Sequence, residues 1–269
     1  MGKTFFRPII KNAGIAFPLL IALAIPAAAK AENTQSSNYI EGDVYYIVQD
    51  VPDKTKSEAW ESRNETIKKV VVGPEVTSLG NYAFYAYTGI TEIDMSNATG
   101  LRRIGDSAFY NAGNLDELEL PAGITEIGSW CFYNTNVLKI ICMATEVPQM
   151  DSPGGTQTGR IIYVPDESVD AYKANSNWTD LGTIKPLSAC PYEYDGLYYL
   201  LNREAKTAAV TKDADFYPVE NITVPARITI KGVWYDVTAV GDEAFYACKT
   251  VKTISLPESI TKIGHKAFS

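Results

Sequence analysis

Histidine is almost missing from this chain: His265 is the only one among 269 residues. It stands in a turn slot that elsewhere holds Asn81, Asp106, Ser129 or Asp242, and so reads as a solvated turn residue. With no second imidazole, no Ser-His-Asp or Cys-His pair could use any residue but this turn histidine as base, and an H-E-x-x-H zinc site, which needs two histidines, is excluded. Cysteine is scarce too, at four residues, and none falls in a C-x-x-C or Cys/His spacing that holds a metal. No cofactor or metal is expected, and no residue is assigned a catalytic role. A glycosidase built on two carboxylates survives this count, since it needs only a pair of acids at the right separation. The glycine-rich loop Ser152-Pro153-Gly154-Gly155 lacks the Gly-Lys-Ser/Thr of a phosphate cradle.

Long apolar runs are absent apart from one. Ala13 to Ile25 follows Lys3, Arg7 and Lys11 and precedes Ala29-Lys30-Ala31, the arrangement of a secretory signal cleaved before Glu32. The run falls short of the about 20 residues that cross a bilayer, so the mature chain is expected to have no membrane-spanning segment. No Cys lies near the cleavage site to carry a lipid anchor. The product is expected in the periplasm, at the cell surface or secreted. Positive charge is also in deficit: four of the 24 Lys and Arg lie in residues 1–31, leaving 20 against 32 Asp and Glu, a net −12. Such a surface repels phosphate backbones, which argues against nucleic acid as a partner.

What the chain does have is repetition. The stretch Leu115 to Tyr133, LDELELPAGITEIGSWCFY, joins an L-x-x-L-x-L strand to [LIV]-G-x-x-[AC]-F. The second half recurs five times, ending at Phe84, Phe109, Phe132, Phe245 and Phe268, with steps of 25, 23 and, after a gap, 23 residues. That is the period of a solenoid. Leu115, Leu118 and Leu120, with their counterparts Ile90, Ile93 and Met95, point inward from a short strand. Pro121 stops it. The β-branched Ile124-Thr-Glu-Ile127 runs back along the opposite wall, the Gly that follows is expected to supply φ freedom for a tight turn, and Phe fills the interior. Cys131 takes the small-residue slot, Cys142 an inward strand position and Cys248 a coil-closing turn, so these three read as buried hydrophobes without a disulfide.

This skeleton resembles the BspA-like, or Treponema pallidum-type, leucine-rich repeat family of bacterial surface proteins. The resemblance covers residues 67–143 and 222–269 and implies a β-rich leucine-rich repeat solenoid, mostly β with short helical caps, in two repeat blocks with β-hairpin caps. The expected organisation is a signal over 1–31, a leader and hairpin cap over 32–66, a first block over 67–146 and an irregular closing cap over 147–189. A hairpin and connector over 190–221 then leads to a second, truncated block over 222–269. The hairpins rest on an echo between Gly42-Asp43-Val44-Tyr45-Tyr46 and Gly196-Leu197-Tyr198-Tyr199. In the cap, Asp166 is expected to start a short helix with Val169 and Tyr172 on one face and Trp178 packed behind. The chain stops at Ser269, and the last coil, carrying Ile254, Leu256, Ile260 and Ile263, is expected to fray or to pair with a second molecule.

Three outward columns follow from stacking the coils. Lys69, Glu92, Glu117 and Lys139 form a charge-compensated one. Beside it, Asp94 and Glu119 are expected as like-charged neighbours with no basic partner in line, a strain that a cation or basic ligand would relieve. Tyr85, Tyr110 and Tyr133, each following a core Phe, form the third and offer rings to sugars or proteins. Asp94, Glu119, Tyr85, Tyr110 and Tyr133 are the candidate binding residues. The resemblance implies a non-enzymatic secreted or surface protein that binds an extracellular macromolecule, with adhesion to host matrix or plasma proteins. A glycan-binding protein or weak carboxylate glycosidase of the cell envelope is the alternative.

Overall fold

The computed structural model describes residues 37–62, 65–112, 114–154, 158–212 and 220–269, so the signal expected over 1–31 lies outside the described residues. Strands β1 (Tyr39–Glu41) and β2 (Val44–Ile47) make an antiparallel hairpin with Tyr39 stacked on Tyr46, ring centroids 4.8 Å apart. A helix, α1 (Lys56–Ser62), leads on to the repeats. There the chain alternates between two walls: β3 (Lys69–Val72), β4 (Ser78–Leu79), β5 (Glu92–Asp94), β6 (Arg103–Ile104), β7 (Glu117–Leu120), β8 (Glu126–Ile127), β9 (Lys139–Cys142) and β10 (Gln149–Met150). The even-numbered strands of this run pair in parallel as one wall, β10-β8-β6-β4. The other wall is in two parts. β5 pairs β3, which continues the hairpin, whereas β7 pairs β9 in a separate ladder. At the break, the Asp94 carboxylate accepts from Ser96 N (3.0 Å) and Ser96 Oγ (2.6 Å), a local turn that competes with further pairing.

Between the walls Phe84, Phe109 and Phe132 stack with centroids 5.5 and 6.1 Å apart and planes within 4°, all buried. Large side chains so placed contribute roughly 1.5–3 kcal/mol each. The turns that carry them are stitched coil to coil: Phe84 N donates to Ala108 O (2.8 Å) and Phe109 N to Cys131 O (3.1 Å). The expectation that the repeat glycine supplies positive φ is overturned. Left-handed φ falls two residues later, on Tyr82, Ser107, Trp130, Glu243 and Lys266. The glycine is needed for closeness instead, since a Cβ on Gly128 would overlap the Asp106 backbone of the preceding coil. The residue between also has a task. Asn81 Oδ1 accepts from Asp106 N (2.8 Å), Asp106 Oδ1 from Ser129 N (2.7 Å) and Asp242 Oδ1 from His265 N (2.7 Å), so this slot is an inter-coil ladder.

The first block closes through β11 (Ile161–Val164), a 3-10 turn at Asp166–Ser168, α2 (Val169–Ala174), α3 (Ser176–Leu181) and β12 (Thr183–Pro186). Tyr172 and Trp178 are fully buried edge to face at 4.8 Å, and Trp178 Nε1 donates to Pro148 O (3.0 Å), so Trp178 is core. Asp166 does not cap its own turn; its Oδ1 accepts from Ser188 N (2.9 Å). Asn175 caps α3. Arg160, only 2% exposed, donates Nε to Val137 O (2.8 Å) and reaches Thr135 Oγ1 (3.3 Å). Burial pushes its guanidinium down to about 10, and carbonyl dipoles are what keep the cation there.

The second half is a sheet in the order β13-β14-β15-β18-β17, from β13 (Pro191–Tyr194), β14 (Leu197–Asn202), β15 (Thr207–Thr211), β17 (Arg227–Ile230) and β18 (Val233–Val240). β16 (Asn221–Thr223) pairs β19 (Thr253–Ser255), and β20 (Lys262–Ile263) joins β18. Tyr192, Tyr199 and Tyr235 of this half share one core cluster with Ile141 and Tyr163 of the first. The second hairpin thus lies on the outer face of β9 and β11.

Candidate functional site

The tyrosine column forms as the repeat spacing predicts. Tyr85, Tyr110 and Tyr133 stack with centroids 5.2 and 4.9 Å apart. Its two ends differ. At one, α1 covers Tyr85: Ala59 is buried against it, and Lys56 Nζ lies 5.5 Å from the ring centroid. Tyr85 is therefore 5% exposed, a packing residue. At the other end the next segment is the loop at Ser152, whose carbonyl accepts from Trp130 N (2.9 Å), and Tyr133 is 37% exposed. Gly154, at φ +78°, passes so close that a Cβ there would come within 3.1 Å of Trp130 Cα and 3.2 Å of Tyr133 Cβ.

Trp130 extends this end. Its ring lies 5.1 Å from that of Tyr133 at 51° and is 45% exposed. The sequence reading passed over it because Trp130 sits in the x-x of the turn motif. The available signal was apolarity, for that slot holds Tyr82, Ser107, Glu243 and Lys266 in the other coils, each with a polar group, and a left-handed residue there points outward. A large apolar ring in an outward slot does nothing for the coil's own core.

The acidic pair is corrected. Asp94 and Glu119 belong to separate ladders, and each has a cation: Lys69 Nζ lies 4.0 Å from Asp94 Oδ2, and Lys231 Nζ lies 2.6 Å from Glu119 Oε2. Lys231 comes from the turn between β17 and β18, where Lys231 and Gly232 both have positive φ, the geometry of a two-residue hairpin loop. The neighbouring column follows expectation, with Lys69–Glu92 at 2.6 Å and Lys139–Glu117 at 2.9 Å. Ile141, the residue of β9 paired with Glu119, is fully buried under the second hairpin.

The thiols are free, and burial pushes Cys131 and Cys142 well above the ordinary range, Cys142 to about 11. Neither is a nucleophile at neutral pH. His265 is exposed. No described helix is long and apolar enough to cross a membrane.

A family model for the BspA type leucine rich repeat region matches residues 54–152 and 218–269 in six copies, one more than the phenylalanine spacing reveals. The chain belongs to the BspA-type leucine-rich repeat family. Two solved structures are similar to this BspA-type protein. A leucine-rich repeat protein from Eubacterium ventriosum is 21% identical with a TM-score of 0.38, over 88% of this chain and 62% of its own. A leucine rich cell surface protein from Faecalibacterium prausnitzii is 16% identical with a TM-score of 0.27, over 85% and 64%. The match thus spans less than two thirds of either. No curated protein matches.

Proposed function

We propose that this BspA-type protein is a non-enzymatic, secreted or cell-surface binding protein that attaches to an extracellular protein through the ridge formed by Trp130, Tyr133 and Tyr110. Residues 1–31 act as its export signal, and adhesion to host or matrix protein is the role that follows. The observation that supports the reading is the open end of the tyrosine stack. Two large rings stand 45% and 37% exposed on a backbone made rigid by coil-to-coil hydrogen bonds. Rigid aromatic anchors of this kind carry much of the energy of protein interfaces, because they bury area at little entropic cost. The 51° angle between the two rings favours a pocket on a protein over a flat sugar ring, which stacks best on a coplanar platform.

Purified protein on parallel arrays of matrix proteins, plasma proteins and polysaccharides tests it. Capture of a protein ligand is expected to fall at least about tenfold in Trp130→Ala/Tyr133→Ala, the loss of one or two hot-spot side chains. Trp234→Ala, which removes a ring 54% exposed elsewhere, should leave capture unchanged. Binding to glycans alone, or sugar release abolished by Asp94→Asn or Glu119→Gln, overturns the proposal in favour of the glycan reading.

A further inference from the structure

Between the two halves lies a cleft of about 740 Å³ that the aromatic ridge does not touch. One side is made by the chain leaving β9, β11 and β12, at Met143, Pro165 and Leu187. The other is the sheet of the second half, at Leu200, Ala209 and Ala239. These side chains are half-buried apart from Pro165, which is buried. The volume falls within the about 300–1,000 Å³ of small-ligand clefts.

Two features set this cleft apart from a packing gap. First, the ladder of β15 and β18 slips on its floor: Ala208 faces Val237 but Ala209 faces Ala239, leaving Thr238 as the extra residue. Bulges of this kind re-aim side chains and gather beside binding sites. Three of the four residues flanking the slip, Ala208, Ala209 and Ala239, are alanines, so the sheet withdraws where larger side chains would fill the space. Second, the rim is mostly acidic: its one base, Arg203, is half-buried and turned onto Tyr192, donating Nη2 to the Tyr192 hydroxyl (2.6 Å). Asp166, Glu167 and Glu204 line it and are exposed. Among the described residues none of the three has a Lys or Arg partner within ion-pair distance.

An apolar floor below an anionic rim matches one kind of side chain, a long aliphatic stem ending in a cation. We propose that this cleft binds an arginine- or lysine-bearing peptide segment, the stem lying over Leu200, Ala209 and Ala239 and the cation between Glu167 and Glu204. The occupant is a peptide because the cleft is larger than one side chain needs, and backbone on either side of the basic residue would cover Met143 and Leu187. This site is separate from the ridge at Trp130, and its failure would leave the reading of that ridge intact.

The test uses the full chain, with amide NMR shifts followed during titration of acetyl-Ala-Arg-Ala-amide. The counterparts with Glu or Leu at the centre, and free agmatine, serve as comparison probes. Perturbation is expected at Ala208, Ala209 and Ala239, with the Arg peptide at least about tenfold tighter than the Glu and Leu peptides and than agmatine. Glu167→Lys/Glu204→Lys should weaken the Arg peptide at least about tenfold while the melting temperature is kept, since both side chains are exposed. Ala209→Leu should block every probe. No perturbation in the cleft, equal binding of the Glu peptide, equal binding of agmatine, or an unweakened double variant would each overturn the proposal.

Discussion

Phe109 and Phe268 occupy the same slot of the same repeat, yet Phe109 is fully buried and Phe268 is 47% exposed. Phe109 stacks between Phe84 and Phe132, whereas among the described residues Phe268 stacks on Phe245. Ile127 and Ile263 differ in the same way, at 1% and 56% exposed. The motif is therefore only half of the stabilising unit. In a nearest-neighbour solenoid the other half is the coil beside it, and identical residues acquire different weights from their neighbours.

The largest expected effect tests that contrast. Phe109→Ala should cost about 3–5 kcal/mol, the range for truncating a buried aromatic, while Phe268→Ala should cost less than about 1 kcal/mol. Urea unfolding of both variants measures it. Native-state amide exchange should agree, with residues 252–268 less protected than 115–132. Equal costs for the two phenylalanines would mean that burial in the second block is greater than the exposed rings indicate, and the contrast would break.

Much of this architecture was legible in the sequence because its signal is local. A step of 23–25 residues between phenylalanines and the spacing of the inward Leu and Ile positions are set within one coil, so the walls, the core and the tyrosine stack could all be read off. The errors arise where distance along the chain is large. Lys231 neutralises Glu119 across 112 residues, and Ile141 is buried by a hairpin that begins 50 residues later. Nothing in the repeat itself encodes either contact. The glycine was misread for a different reason, since a steric need to approach the previous coil and a need for positive φ leave the same residue in the sequence. Arg160 is buried on carbonyls, a use of arginine without a sequence signature.

The second prediction sharpens the comparison with the thiols. Cys142, in the first block, is fully buried 3.3 Å from Tyr172 Oη, while Cys248, in the second, is half-buried. Burial raises the Cys142 thiol from 9.0 to about 11, so the native thiol stays protonated where the unfolded one ionises. This stabilisation is complete below pH 9 and is lost as pH rises from 9 to 11, by about 2–3 kcal/mol at most. Urea unfolding at about pH 8 and about pH 10.5 should show a smaller loss in Cys142→Ala than in wild type, because the variant has no thiol to ionise. Native alkylation should reach Cys248 before Cys142. An unchanged loss in Cys142→Ala, or faster labelling of Cys142, would show that the first block opens as readily as the second.

The smallest effect concerns what holds the two halves to each other. Lys231–Glu119 joins them, and Lys69–Glu92 lies within the first block; both pairs measure 2.6 Å. Their surroundings differ. The Glu119 side chain is 19% exposed against 58% for Glu92, so water screens the junction pair less; a second carboxylate lies near both lysines, Glu117 at 3.8 Å from Lys231 and Asp94 at 4.0 Å from Lys69. Exposed pairs are worth about 0.2–1 kcal/mol, and the junction pair should sit near the top of that range with Lys69–Glu92 near the bottom. Double-mutant cycles with Lys231→Ala/Glu119→Ala and Lys69→Ala/Glu92→Ala give the two coupling energies directly. Added salt should shrink both, and the more exposed pair by the larger fraction. If the junction coupling is zero while Lys69–Glu92 retains its own, then the apolar contacts of Ile141 and Tyr163 with Tyr192 and Tyr199 hold the halves together unaided, and Lys231 merely settles on the nearest acids once they have met.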